Sequence, residues 1–380
     1  MRVEVKPELL RWAAERSRIE RDALDDRFPK LKEWVREAVR PTLKQLEDFA
    51  RATHTPIGYF FLPEPPVERV PIPDFRTVGG ARLQRPSPDL LDTIHLCQQR
   101  QEWYREFART IGEPPLAFAG AAAVTSDVVD AAERIRHSLG FDLEERRRLP
   151  TWTDALRRFI ELADNAGVMV MVSGVVGSNN RRKLDADEFR GFALADPLAP
   201  LVFINGSDTK AAQMFTLAHE LAHVWLGQSA VSDAQPAEIG GNAIERWCNA
   251  VAAELLVPVG VFRDEYDPRA DLRMETERLA RRFKVSTLVI LRRMRDAGGV
   301  TQPQFRAAYD AEVQRLRALP TRSGGNFYLT LGARASKRFA RALVVSTLEG
   351  RSSFTEALHL LGFRKMSTFR ELGQNLGLAV

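Results

Sequence analysis

His219 and His223 stand four residues apart and enclose Glu220, in the run His219-Glu220-Leu221-Ala222-His223. On a helix this spacing puts both imidazoles on one face, one turn apart. Two such imidazoles can hold one Zn²⁺ at about 2.0–2.1 Å. Glu220 is then adjacent to the first ligand, where it can accept a proton from a water activated by the ion. The bare pattern fixes only three residues. Its bland alternative is a helix with two half-buried histidines and a solvated Glu. The context argues for the metal. Only six histidines occur in the chain, and two of them fall here. The apolar residues Met214-Phe215-Thr216-Leu217-Ala218 precede the motif and Val224-Trp225-Leu226 follow it. Ser207 or Asp208 is expected to cap the helix and Gly227 to end it.

Zinc needs a third protein ligand and an open position. A second helical run follows, Glu245-Arg246-Trp247-Cys248-Asn249-Ala250-Val251-Ala252-Ala253-Glu254-Leu255-Leu256, stopped by Pro258. Its alanines allow close packing on the first helix. Glu245 is the first candidate for the third ligand, and Glu254 is the alternative. Asn249 shares a helix face with Glu245 and is placed to hydrogen-bond a ligand histidine. Cys248 is a softer candidate ligand, although between Trp247 and the alanine run it reads rather as a packed core thiol.

The elements that must carry these residues lie in a chain of 380 residues, long enough for several domains. Apolar residues make up 44% and charged residues 28%, as in ordinary globular proteins. No apolar run reaches membrane length, and Met1-Arg2-Val3-Glu4-Val5-Lys6 lacks the apolar core of a signal peptide. Cys97 and Cys248 make no disulfide framework, so a cytoplasmic location is expected. The net charge of +5 comes from basic clusters late in the chain, around 278–284, 292–295 and 337–341. Such clusters either bind nucleic acid or form the solvated faces of amphipathic helices.

Periodicity and proline breaks predict short helices over 7–17, 21–28, 31–37 and 43–52. A Pro-rich connector follows over 56–79, then helices over 87–110, 125–140 and 151–166. Val168–Val172 reads as a buried strand. Phe189–Ala195 and Pro200–Asn205 read as a strand pair turning at Asp196-Pro197. Residues 271–297 are helical and basic, and the segment from the loop at 322–326 to Val380 is mostly helical. The expected class is α+β, mostly helical, with a small mixed sheet. The domain plan is 1–62, a connector over 63–86, a helical region over 87–165, a core over 166–262 that holds the histidine motif and Glu245, a helical region over 263–320 and a helical C-terminal domain over 321–380.

These residues carry a resemblance. Gly191-Phe192-Ala193-Leu194, Pro200 to Asn205, Phe215 to His223, Glu245, Cys248-Asn249 and Ala252 to Pro258 together resemble the ImmA/IrrE family of metallopeptidases over roughly 165–300. The resemblance implies a zincin-like domain, Zn²⁺ held by His219, His223 and Glu245, and Glu220 as general base. It also implies a protein substrate, a DNA-binding repressor of the Cro/C1 type, cleaved in a stress, phage or toxin–antitoxin setting.

The N-terminus resembles the Cro/C1-type helix-turn-helix domain through Glu33-Trp34, Pro41 to Leu46, Phe49-Ala50 and Pro56 to Phe61. Only Phe28-Pro29-Lys30-Leu31-Lys32 stands where a full recognition helix is usual, so the DNA-reading element is short. A second stretch, Leu279 to Arg293, is helix-turn-helix-like. The competing function is a DNA-binding regulator or antitoxin that uses the metallopeptidase fold to sense or dock. For the reaction itself, the strand around Gly191–Ala195 is expected to pair with an extended substrate. Tyr328, Tyr309 or an arginine is expected to stabilise the oxyanion. No membrane partner is expected, and self-association is left open.

Overall fold

Proline breaks cut the first sixty residues into short helices in the computed structural model, which describes residues 1–75, 85–232, 242–318 and 334–378. The chain divides into two compact units, Met1–Pro71 with Arg82–Ile94 and Ile72–Ala81 with His95–Val380.

The first unit contains α1 (Pro7–Arg16), α2 (Arg21–Arg27), α3 (Leu31–Val35), α4 (Leu43–Ala52) and a 3₁₀ turn, Ile57–Phe61. Thr42 starts α4 through a capping box: its hydroxyl accepts from the Gln45 N–H, and the Gln45 carbonyl oxygen accepts from the Thr42 N–H. Leu9, Leu10, Trp12, Leu46, Phe49 and Phe60 form the core. Phe28 packs edge-on to Phe49 at 5.3 Å. α3 stops at Val35, short of the expected Glu37, where the backbone turns through φ +59°. It buries Leu31 and Trp34, leaving one short exposed face.

In the second unit, short apolar runs build a four-stranded sheet from β1 (Met169–Ser173), β2 (Gly191–Leu194), β3 (Leu201–Asn205) and β4 (Ala230–Ser232). The order is β1-β3-β2-β4. β1 runs parallel to β3, and β2 is antiparallel to both β3 and β4. Val170, Val172, Ala193, Val202 and Ile204 face the main core. The intervening Phe192 and Phe203 stack on the other face at 5.0 Å. Every residue of these strands is buried, so helices must cover both faces.

The helices of this unit begin with the later part of α5 (Pro88–Ile111), then α6 (Val128–Leu139), α7 (Leu143–Arg148) and α8 (Trp152–Asn165). α9 (Lys210–Leu226) and α10 (Ala243–Leu256) follow the sheet, then α11 (Val259–Glu265), α12 (Leu272–Phe283), α13 (Thr287–Asp296) and α14 (Gln302–Arg317). α15 (Lys337–Leu348), α16 (Phe354–Leu361) and α17 (Met366–Asn375) close the chain. The class is α+β, mostly helical. α9 packs on β2, β3 and α8, and α10 packs on α9 and α6.

α15 packs on α8 and β1, at the other side of the sheet. Two buried charged residues fix it there. Asp164 accepts from the Ser336 hydroxyl at 2.7 Å and the Arg338 N–H at 3.1 Å, as well as from the Val170 N–H at 3.2 Å. Arg100 donates to the Leu360 and Arg334 carbonyls at 2.8 and 3.0 Å.

The basic stretch over 271–297 is two helices, because Lys284 adopts φ +52° and ends α12. Its arginines are matched by acids: Arg278 with Glu275, Arg282 with Glu265, Arg292 with Asp296, and Arg293 with Glu254 and Asp296. Arg292 and Arg293 are themselves buried, on a helix whose Val289, Ile290 and Met294 enter the core. The segment is a packed helical hairpin. Among the described residues no helix is long and apolar enough to cross a membrane.

Candidate metal centre

α9 starts at Thr209, whose hydroxyl accepts from the Ala212 N–H, and ends at Gly227 with φ +67°. The cap is therefore Thr209 rather than Ser207 or Asp208. The Ser207 hydroxyl instead donates to the Leu184 carbonyl at 2.8 Å, which ties the preceding turn to the sheet. From Gln213 to Leu226 every residue of α9 is buried, so neither the histidines nor Glu220 is solvated as the bland alternative required. A helix buried all round holds its histidines away from bulk water.

His219 and His223 project toward α10, their Nε2 atoms 3.1 Å apart. Glu245, in the first turn of α10, completes the cluster. Its Oε1 lies 3.0 Å from His223 Nε2 and its Oε2 lies 3.3 Å from His219 Nε2. The three donor groups lie within 4.8 Å of one another. An ion bound at about 2.0–2.1 Å in tetrahedral geometry requires donor–donor edges of about 3.3 Å. The observed edges of 3.0, 3.1 and 3.3 Å lie close to that value, so the side chains present fit an ion of this size.

Asn249, one turn beyond Glu245, accepts from His219 Nδ1–H at 3.0 Å. That bond places the proton on Nδ1 and leaves the Nε2 lone pair facing the cluster. Glu254 is not part of the centre. It pairs with Arg293 at 3.0 Å and accepts from the Val259 N–H, fastening α13 and α11 to the end of α10. Cys248 is fully buried in the core.

Glu220 is held by two elements that sequence spacing does not reveal. Ser232 on β4 donates its hydroxyl to Glu220 Oε1. Gly191 on β2 leaves the space that Glu220 and Thr216 fill: a Cβ there would lie 2.6 Å from Thr216 Cγ2, 2.8 Å from the Phe203 carbonyl and 3.2 Å from Glu220 Oε1. Among the described residues Glu220 Oε2 accepts no hydrogen bond and His223 Nδ1 makes none.

Charges in this cluster are strongly coupled. Burial pushes Glu220 up to about 8, against the pull of His219 and the Ser232 hydroxyl. Burial also works to raise Glu245, but the facing imidazoles outweigh it and hold the carboxyl down to about 2. Burial works to lower His219, yet the Glu245 carboxylate outweighs it and the pKa rises. His223 falls below its ordinary value, chiefly through burial, with Glu245 opposing and His219 reinforcing the shift.

Other expected participants lie elsewhere. Tyr309 packs on Phe305 at 5.5 Å in α14, within the core around α13. Tyr328 lies outside the described residues. β2 is an interior strand, paired on both sides, so it has no free edge for a substrate. The outer edge on the Glu220 side is β4, and it is partnered by Pro73-Asp74-Phe75 of the connector. The Val231 N–H donates to the Pro73 carbonyl and the Phe75 N–H donates to the Val231 carbonyl, both at 2.9 Å. The Phe75 ring lies 6.3 Å from the His223 ring at an interplanar angle of 24°. A surface cavity of about 520 Å³ lies away from this centre, lined by Phe118, Glu133, Arg134, His137 and Trp225 among others.

No curated protein matches the chain. Residues 335–375, covering α15 to α17, match a family model described as a domain of unknown function, DUF8813. Residues 163–295, which span the sheet, both helices of the centre and the hairpin after them, match the family model Peptidase_M78. Over 163–295 the chain is therefore similar to a peptidase-type domain, the one described as IrrE N-terminal-like.

Proposed function

We propose that the protein is a zinc-dependent endopeptidase of the HExxH type. The observation that carries the reading is the buried convergence of His219, His223 and Glu245 beside a Glu220 oxygen that accepts no hydrogen bond among the described residues. His219, His223 and Glu245 would hold the ion. Zinc, when bound, supplies Lewis acidity to polarise a carbonyl and acidify water.

The chain's own residues do the rest. Glu220 uses Oε2 to take a proton from the attacking water and deliver it to the leaving amine. Ser232 holds Oε1, so the working oxygen keeps one orientation. Asn249 fixes the His219 tautomer. The all-round burial of α9 excludes competing solvent and strengthens each of these interactions.

The substrate class that fits the family resemblance is a DNA-binding repressor of the Cro/C1 type, and the setting a cytoplasmic stress, phage or toxin–antitoxin response. The experiment combines zinc analysis with cleavage of such a repressor by full-length wild type and Glu220→Gln. Near-stoichiometric zinc in both, with cutting by wild type alone, supports the peptidase. An intact repressor in both, together with operator binding that survives the substitution, supports the regulator reading instead.

A further inference from the structure

We infer that Pro73-Asp74-Phe75 occupies the site's own peptide-binding edge, so that substrate must displace this piece of the connector before it can reach the metal centre. The inference rests on the peptidase reading and adds to it both a peptide-binding strand and a built-in competitor. The four-stranded sheet has two outer strands, β1 and β4. Only β4 adjoins the chemistry, because its Ser232 holds Glu220. Ala230 and Ser232 pair with Ala193 and Gly191 of β2. Val231, between them, turns both its N–H and its carbonyl outward, and both are taken by residues 73 and 75. A peptide adding a strand beside Glu220 needs those same two groups.

The side chain repeats the message of the backbone. Phe75 is half-buried and lies nearly parallel to the His223 imidazole. A flat apolar group fits over the ligand histidine there, so the subsite beside the metal is suited to an aromatic residue of the substrate. Pro73 joins the ladder through its carbonyl alone, and its missing N–H prevents the pairing from extending with further donors on that side. Two hydrogen bonds and one ring contact form a short clasp that a longer extended substrate can outcompete.

The test needs no cutting and no metal, so its failure is separable from failure of the peptidase reading. A fluorescently labelled peptide of the chain's own residues 70–75 is titrated into full-length wild type, Phe75→Ala, and the triple variant Pro73→Gly, Asp74→Gly, Phe75→Gly. The occupied edge lowers apparent affinity by the fraction of molecules that are open. Binding about tenfold or more tighter to the triple variant than to wild type is expected, with Phe75→Ala between them. Replacing the peptide's own Phe by Ala should weaken its binding. Equal affinity for wild type and variants overturns the inference. Hydrogen exchange on wild type covers the case in which the triple variant does not fold. A protected Val231 amide that loses protection in Phe75→Ala supports the clasp, and a Val231 amide that exchanges at the free-solvent rate in wild type overturns it.

Discussion

Glu245 and Glu254 lie on one helix but do opposite work. Glu245 faces two imidazoles, whereas Glu254 faces a buried guanidinium. Glu245→Ala should therefore abolish zinc binding while leaving α13 in place. Glu254→Ala should retain zinc yet lose roughly 3 kcal/mol of stability, because it strips a partner from a buried charge. Metal analysis and denaturant unfolding on the pair separate the two roles.

Glu220 sets a pH dependence in the metal-free chain. Its folded pKa of about 8 stands above the ordinary carboxylate value. The folded state thus holds this proton more tightly than the unfolded state. The stabilisation is complete below the ordinary carboxylate range and is lost as pH rises toward 8. Metal-free wild type should lose stability relative to Glu220→Gln between about pH 5 and pH 8. Parallel melting curves for the two over that range would sink the idea.

The histidines, Glu245 and Asn249 were all legible in the sequence, because each pair sits at helical spacing. Ser232, Gly191 and Phe75 were not. They reach the site through strand pairing between distant segments, which leaves no periodic mark near the motif.

At the scale of elements, the site depends on how closely β2 approaches α9. Gly191 is the residue that permits it, since any Cβ would collide with Thr216 and the Phe203 carbonyl. Gly191→Ala should cost about 1–3 kcal/mol as an overpacked core and displace Glu220. Lowered cleavage is the expected outcome, and zinc content is measured beside it because α9 carries Glu220 and both histidines. Zinc retained means that Glu220 alone has moved, zinc lost means that the helix has shifted, and unchanged cleavage overturns the prediction.

The start of α9 shows a limit of local reading. Ser207, Asp208 and Thr209 are all good caps, and only the extended backbone at Thr209 decides among them. The interior position of β2 was equally hidden. A three-residue β4 beyond the motif supplies its second neighbour, and so short a strand carries little alternation to read. The same limit applies at residues 271–297, where Leu279 to Arg293 reads as helix-turn-helix-like but only the left-handed Lys284 shows where the first helix ends. Buried Arg292 and Arg293 looked like surface charge for a similar reason: charge type is visible in sequence, but the acids that accept it are not.

For the whole molecule, the described C-terminal helices belong to the same compact unit as the candidate metal centre. Asp164 joins the end of α8, the start of β1 and the start of α15 through three accepted hydrogen bonds. Asp164→Ala should destabilise the unit by about 2–4 kcal/mol, through the loss of a shared acceptor at buried donors. Unfolding monitored in α15 and in the metal centre should shift together. Separate transitions would mean that the C-terminal helices fold on their own account.

Both thiols of the chain are sealed inside it. Cys97 is pushed up to about 12 and Cys248 well above its ordinary value, in each case chiefly by burial. Both side chains are unlinked and inaccessible. The native fold is consequently silent toward thiol reagents, and a maleimide dye should label it only as it unfolds. This gives the protein a clean chemical background: one cysteine engineered on the surface would be the only reactive handle, with neither native residue replaced.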